Sequence, residues 1–320
     1  MEKNRMILPL SADDKRVQEA RSAERRLYSR YGLCVKEHEV PVPGLGLRVR
    51  VCEVGQGEPV LMVPGNTGDS FPFVPLMAQL QGKRMLAVNR PGGGLSEGFD
   101  HHSVPFRRLA TETLAAVLDY FGLESVPVIS HSMGSHWSLW FAMDCPARVQ
   151  RLALLGVPGN VMGCCPPLPL RLASVPGAGR FLFRFITPRS PCHALRGLSF
   201  MGHPQKTLAA LPPEMQDCYY AFQLLPNYRA ASLSLMEVTN TLRGSVPGIR
   251  ITEQALSRVA QPVLLVWGQN DPFGSVEEGE KIARALPCAE WMLIENGGHL
   301  PWLDAPQHGG EAILHFFEGL

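Results

Sequence analysis

Three side chains whose types could support nucleophilic catalysis stand directly after stretches that read as buried strands. Ser132 lies in SHSMG, where the apolar run of residues 126–130 gives way to small and then amphipathic sequence. Asp271 follows the apolar run LLVWG, and His299 follows AEWMLIE. A serine, a histidine and an acid held together can activate a hydroxyl as a nucleophile. Strand ends are also where α/β sheets build their sites, at the carboxyl edge.

The SHSMG stretch allows two interpretations. It is either an ordinary tight turn from strand to helix, or a strained turn that displays Ser132 as a nucleophile. The second interpretation needs small residues two positions before and after the serine, because strand and helix backbones nearly touch there. Ser130 and Gly134 meet that need.

The other candidate residues have plainer readings too. Asp271 precedes a proline and could start a turn, and His299 could be an ordinary loop residue. His131 and His136 lie close to the serine in sequence, but we interpret both as structural. The joint placement of Ser132, Asp271 and His299 at three strand ends favours a catalytic role for these three residues.

The elements that must position these residues follow from hydrophobic patterns. Alternating residues on both sides of PGLG predict an antiparallel hairpin, and the charged N-terminal stretch predicts a surface helix. From Pro59, short apolar runs alternate with helical stretches. That rhythm predicts an α/β fold with a mostly parallel central sheet flanked by helices. It stops between residues 158 and 260, where Pro-punctuated sequence predicts short helices and no strands.

The predicted organisation therefore has three segments. Residues 1–157 form the first part of the α/β core with the N-terminal helix, residues 158–260 form an inserted α-helical lid, and residues 261–320 complete the core.

Composition narrows the function classes. The chain has 320 residues, 45% of them apolar and 18% charged, with a net charge of +1, which suits a globular protein and gives no global case for nucleic acid. Eight cysteines without a CxxC pair argue against zinc. The N-terminus lacks the pattern of a secretory leader, and no apolar run reaches about 18 residues. We expect a cytoplasmic protein with reduced thiols, no membrane span, no metal and no cofactor.

The order of elements and the SHSMG turn resemble the α/β-hydrolase fold from about Val40 to the C-terminus. The family motif is G-x-S-x-G, and Ser130 replaces its first glycine. The resemblance implies that Ser132 attacks the substrate, that His299 accepts and returns its proton, and that Asp271 orients the imidazole. The acid and the histidine follow the serine in the family's order.

The same resemblance implies an oxyanion hole made of two backbone N–H groups. One belongs to Met133, at the start of the helix after the serine. The other belongs to Asn66, because Pro64 and Gly65 replace the His-Gly pair common in the family. This change alters the hydrogen bonds that hold the loop, not the donor itself.

A resemblance to haloalkane dehalogenases or epoxide hydrolases would imply an aspartate at the nucleophile position of this turn. Ser132 therefore argues against both groups. We expect a serine hydrolase that cleaves a carboxylic ester, or a related lactone, thioester or amide, through an acyl-enzyme. The alternatives are a carbon–carbon bond hydrolase of the same fold and a weakly catalytic ligand-binding member. The expected partner is a small apolar acyl-type substrate, and the sequence carries no signal for an oligomeric state.

The lid is basic, with ten Arg and Lys against four Asp and Glu in residues 158–260. We interpret its arginines as a solvated face, although a carbon–carbon hydrolase acting on dianions would need an arginine in its cleft. We expect most of its aromatic rings to pack the lid onto the core. The arginines are Arg171, Arg180, Arg184, Arg189 and Arg196, and the aromatic residues are Phe181, Phe183, Phe185, Phe200, Tyr219, Tyr220, Phe222 and Tyr228.

Overall fold

A sheet of eight strands forms the centre of this computed structural model, which describes residues 10–319. The predicted hairpin supplies the first two strands, and the apolar runs supply the other six. Two further short strands lie outside the sheet. The strands are β1 (Val35–Val42), β2 (Leu47–Val54), β3 (Glu58–Val63), β4 (Lys83–Val88), β5 (Val126–His131), β6 (Val149–Leu155), β7 (Asn240–Thr241), β8 (Gly244–Ser245), β9 (Val263–Gly268) and β10 (Ala289–Ile294).

The strand order across the sheet is β1-β2-β4-β3-β5-β6-β9-β10. The pairs β1–β2 and β2–β4 are antiparallel, and all the others are parallel. The predicted mostly parallel sheet is therefore confirmed. Because β3, β5, β9 and β10 run in the same direction, the loops that follow them meet at one edge of the sheet.

Helices cover both faces of the sheet, and the N-terminal helix stands where the sequence predicts it. Asp14 caps that helix by accepting from the backbone N–H of Arg16. The helices are α1 (Lys15–Arg30), α2 (Val74–Met77), α3 (Phe106–Tyr120), α4 (Met133–Asp144), α5 (Leu168–Leu172), α6 (Ala178–Ile186), α7 (Pro191–Ala194), α8 (Arg196–Ser199), α9 (Gln205–Ala210), α10 (Pro213–Gln223), α11 (Tyr228–Thr239), α12 (Glu253–Leu256), α13 (Val276–Ala285), α14 (Pro301–Asp304) and α15 (Pro306–Glu318).

The chain between β6 and β9, here called the insertion, is helical from α5 to α11. The expectation that it holds no strands is wrong, since β7 and β8 pair as a small antiparallel hairpin. Thr241 stabilises the turn by accepting from the backbone N–H of Arg243 at 3.2 Å, and Gly244 takes a φ of 115°. Strands of two residues are too short to show a period-2 pattern.

Each face of the sheet buries its own apolar core. Along β3, Val60 and Met62 pack on one side while Leu61 and Val63 pack on the other, as alternation in a doubly covered strand requires. No helix of the described residues is long and apolar enough to cross a membrane. The stretch examined for a leader begins outside the described residues.

A buried ion pair ties α1 to the sheet. Arg50 on β2 is fully buried, and its Nη2 lies 2.6 Å from Oε2 of Glu24 on α1. Its Nε lies 2.8 Å from Oε2 of Glu37 on β1. These partners compensate the buried guanidinium charge, whose removal would leave a carboxylate unpaired inside the protein.

Candidate active site

Ser132 occupies the turn between β5 and α4. Its backbone has φ 52° and ψ −115°, a conformation that residues other than glycine rarely adopt. Its backbone N–H donates to the carbonyl of Leu155 at 3.3 Å. A Cβ at Gly134 would collide with the carbonyl oxygen of Val63 on the neighbouring strand, so a glycine is required there. Ser130 is fully buried, as the close approach of the backbones demands. The turn is thus the strained one, and it holds the serine hydroxyl above the strand ends.

The structure brings the three predicted residues into one chain of hydrogen bonds. Oγ of Ser132 lies 2.9 Å from Nε2 of His299, and Nδ1 of His299 lies 2.7 Å from Oδ2 of Asp271. The Asp271 side chain is fully buried and that of His299 is 5% exposed. A carboxylate at Nδ1 favours the tautomer whose Nε2 can accept the serine proton.

Asp271 is fixed by backbone donors as well as by the histidine. Its Oδ2 accepts from the N–H of Val157 at 3.0 Å, and its Oδ1 accepts from the N–H of Phe273 at 3.0 Å. The Phe273 ring stacks on the His299 ring, with centroids 4.1 Å apart and an interplanar angle of 23°. The acid and the ring are therefore held in one orientation before any substrate arrives.

The backbone of residues 298–300 is here called the histidine loop. It is held by Met201, His203 and Asp304, which together form the His203 clamp. All three successive backbone N–H groups of residues 298–300 donate to it. In order, they reach Oδ2 of Asp304 at 2.8 Å, the carbonyl of Met201 at 2.8 Å and Nε2 of His203 at 3.3 Å. Nδ1 of the fully buried His203 donates to Oδ2 of Asp304 at 2.8 Å. Two of the three members belong to the insertion, and sequence reasoning missed them.

His131 and His136 have the structural roles that the sequence analysis gives them. His131 directs Nε2 to the carbonyl of His299 at 3.0 Å, and burial, followed by the nearby charge of His299, lowers its pKa well below the usual range. His136 directs Nδ1 to the carbonyl of Gly159, and burial lowers its pKa to about 4. Neither ring is hydrogen-bonded to the hydroxyl of Ser132, so the imidazole in contact with the serine is that of His299.

The two predicted oxyanion donors flank the serine turn. Met133 is the first residue of α4, at the positive end of the helix dipole. On the other side, a Cβ at Gly65 would stand 2.5 Å from Nδ1 of His131 and 3.3 Å from Cβ of Ser132. The loop after β3 therefore lies against the serine, and Asn66 follows at an exposed position.

Arg90 supports that loop, and the sequence analysis did not identify it. The side chain is buried, donates from Nη2 to the carbonyl of Gly65, and lies 5.0 Å from the centroid of Trp137. Burial lowers its pKa to about 9. Its Nε and Nη1 have no hydrogen-bond partner among the described residues. Arg90 and His101 both line a cavity of about 10 Å³, which is room for about one water molecule.

A larger cavity of about 650 Å³ lies between the β7–β8 hairpin and the residues around His102. It is mostly apolar, with Val175, Leu242 and Pro247 in its wall, and none of the three hydrogen-bonded residues lines it. The described residues contain no cluster of His, Cys, Asp and Glu that could hold a metal ion.

A family model agrees with this architecture. The model of the α/β hydrolase fold matches residues 58–306. The chain belongs to this family. This α/β hydrolase has curated relatives that are named as hydrolases of dioates. It is 26% identical to a 2-hydroxy-6-oxononadienedioate/2-hydroxy-6-oxononatrienedioate hydrolase of Pseudomonas putida, over 86% of this chain and 93% of that protein. A hydrolase of the same name from Dechloromonas aromatica is also 26% identical, over 85% and 91%.

Solved structures share the fold of this α/β hydrolase at lower identity. A carboxylesterase of Bacillus subtilis superposes with a TM-score of 0.74 at 18% identity, covering 96% of this chain and 99% of that one. The 2-hydroxy-6-oxo-6-phenylhexa-2,4-dienoate hydrolase of a Rhodococcus species superposes with a TM-score of 0.71 at 18% identity, covering 89% and 99%. Proteins similar in fold thus include both an esterase and a carbon–carbon bond hydrolase.

Proposed function

We propose that this α/β hydrolase cleaves carboxylic esters, or related lactones, thioesters or amides, through an acyl-enzyme on Ser132. The observation that carries the proposal is the unbroken chain of hydrogen bonds from Oγ of Ser132 through the His299 ring to Asp271, with distances of 2.9 and 2.7 Å. Such a chain lets a neutral imidazole take the serine proton while a carboxylate stabilises the resulting cation.

In the first half of the proposed reaction, Oγ of Ser132 forms a bond to the ester carbonyl carbon as Nε2 of His299 takes the hydroxyl proton. The bond from that carbon to the alcohol oxygen then breaks, and the histidine returns the proton to the leaving alcohol. In the second half, water attacks the acyl-serine, and His299 accepts a proton from the water. That proton passes to Oγ of Ser132 as the carboxylic acid leaves.

The negative charge that develops on the carbonyl oxygen would be stabilised by the backbone N–H groups of Asn66 and Met133. The Arg90 hydrogen bond to Gly65 supports this assignment, because it holds the loop that carries Asn66 against the serine turn. Donors that are fixed before the reaction stabilise such charge without reorganisation.

Carbon–carbon bond hydrolysis is the second candidate, favoured by the names of the curated relatives. Their substrates are dioates and would need cationic partners at the site. The buried cation nearest the loop that carries Asn66 is Arg90, and it faces only a space the size of one water molecule. Four of the five arginines singled out in the insertion are exposed and the fifth, Arg171, is partly buried. This distribution of cations favours the ester over the dicarboxylate.

We also propose that residues 158–260 act as the lid over the site. The His203 clamp supports this, because the insertion holds the backbone of the histidine loop directly. The cytoplasm is the proposed location, since all eight cysteines are free thiols.

The proposal is tested by hydrolysis of p-nitrophenyl esters from acetate to decanoate. Ser132→Ala should abolish turnover and block labelling by a fluorophosphonate probe, whereas Ser135→Ala, at the third residue of α4, should retain both. Turnover that survives in Ser132→Ala would refute the assignment of the nucleophile.

A second assay separates the two candidate reactions. The same proteins are given 2-hydroxy-6-oxononadienedioate, and the loss of the dienoate absorbance is followed. Turnover of the esters at a kcat/KM well above that of the dienedioate supports the proposal. The reverse ratio would establish the carbon–carbon hydrolase, and no turnover of either class would leave the ligand-binding alternative.

A further inference from the structure

The outer side of helix α6 carries two exposed phenylalanine rings. Phe181 is 63% exposed and Phe185 is 69% exposed, and their ring centroids lie 5.0 Å apart in an edge-to-face pair. Positions four apart share one side of a helix, so the two rings form a stripe. The opposite side packs inward, with Phe183 buried and Gly179 close to Leu233 of α11. Phe181 and Phe185, together with Phe200, are thus exceptions to the expectation that most of the lid aromatics pack onto the core, whereas the other five named rings are buried or partly buried.

A second stripe, of arginines, runs beside the phenylalanine stripe. Arg180 and Arg184 are exposed and also lie four positions apart. One residue along a helix is a rotation of about 100°, so the basic stripe borders the aromatic one. We call the two stripes together the Phe181–Arg184 face, made of Arg180, Phe181, Arg184 and Phe185.

The surrounding sequence has charges of one sign only. No Asp or Glu lies between Asp144 and Glu214. Two exposed leucines, Leu168 (53%) and Leu172 (41%), precede α6. None of the cations in this stretch of the insertion forms an ion pair with an acidic side chain of the described residues. These cations are Arg171, Arg180, Arg184, Arg189, Arg196 and Lys206.

We propose that the Phe181–Arg184 face docks on an anionic phospholipid bilayer. A helix with aromatic residues beside a basic stripe lies in the plane of a membrane surface, with the rings at the acyl boundary and the cations at the headgroups. Arginine suits this role because its guanidinium can bind phosphate oxygens in a bidentate manner. A uniformly negative surface matches an acid-free region better than a protein of mixed charge does. The docking is independent of the proposed ester hydrolysis.

The test is co-sedimentation of the full chain with vesicles of phosphatidylcholine, with and without about 30 mol % of phosphatidylserine. We expect binding to the anionic vesicles alone. It should be lost when salt rises from about 0.1 M to about 1 M, which shortens the Debye length from about 10 Å to about 3 Å. Failure to bind anionic vesicles, or equal binding to both kinds, would overturn the proposal.

Paired variants assign the binding to the face. Phe181→Ser with Phe185→Ser should weaken binding of the protein to the vesicles about tenfold or more, because two apolar side chains would no longer be buried in the bilayer. Arg180→Gln with Arg184→Gln should weaken it about 25-fold, since each cation near an anionic surface contributes about fivefold.

Matched controls come from exposed residues elsewhere. Tyr120→Ser removes an aromatic ring that is 48% exposed on α3, and Arg25→Gln with Arg30→Gln removes two exposed cations from α1. Both controls should bind vesicles like the wild type. Turnover of p-nitrophenyl acetate, or thermal unfolding if the chain lacks that activity, confirms that each variant folds. If the face variants bind like the wild type, or instead convert a dimer to a monomer in sedimentation, the face is not a membrane surface.

Discussion

The strained backbone of Ser132 predicts that two variants without its hydroxyl will differ in stability. Ser132→Ala and Ser132→Gly both remove the hydroxyl. With φ 52° and ψ −115°, a residue with a Cβ costs about 1–3 kcal/mol that glycine does not. Glycine in turn costs about 0.5–1 kcal/mol through the greater freedom of the unfolded chain. The glycine variant should therefore have the larger free energy of unfolding, by about 1 kcal/mol.

Urea denaturation measures this difference through the midpoint, provided that both variants share the same slope. The same pair of substitutions at Ser135 is the control. That residue lies inside α4, where glycine should be the less stable variant by about 1 kcal/mol. Opposite signs at two positions three residues apart would isolate the strain of the turn. If alanine at position 132 is as stable as glycine, the turn stores no strain and the reasoning is refuted.

Four further outcomes are expected. His203→Ala should lower kcat about tenfold with little change in KM, because the histidine loop loses an acceptor; steady-state kinetics, with His203→Gln as a partial rescue, checks this. Gly134→Ala should lower the free energy of unfolding by about 1–3 kcal/mol through its clash with a backbone carbonyl, whereas Gly309→Ala, which meets nothing within 4 Å, should not. His136, with a folded pKa of about 4 against about 6.5 when unfolded, binds its proton only in the unfolded chain between these values. His136 should therefore remove about 1.4 kcal/mol of stability per unit as the pH falls from 6.5 toward 4, in addition to the contributions of His131 and His101, whose pKa values burial also lowers. His136→Gln should reduce the slope by its own share in urea titrations. Arg50→Ala should cost about 3–5 kcal/mol by leaving a buried glutamate unpaired, and thermal unfolding would show it.

The sheet could be predicted because its signals are local. Each buried strand is a short apolar run, and each neighbouring helix has its own periodicity. The ends of those runs placed Ser132, Asp271 and His299 at one edge of the sheet, and the structure joins them by hydrogen bonds. Their catalytic roles stay a proposal until turnover is measured.

The His203 clamp could not be predicted, because its members are far apart in sequence. His203 and Asp304 are 101 residues apart, and no periodicity marks either of them. Arg90 was hidden in the same way, since its partner Gly65 is 25 residues away. Exposure in the insertion also escaped prediction. The run RFLFRF at residues 180–185 does not show which side of a short helix meets the core, because only the packing of α11 against the helix decides it.

The hydrogen bonds that Met201 and His203 accept from the histidine loop bear on any attempt to change substrate range by exchange of segments. A chimera that replaces the insertion with that of a relative would lose the acceptors for two of the three N–H groups of residues 298–300. Such a chimera would change both the insertion and the position of His299, so under the proposed function a new preference and a lower rate would arrive together. Grafts that keep residues 201–203 would separate the two effects, because these residues belong to the insertion by sequence but support the backbone around His299.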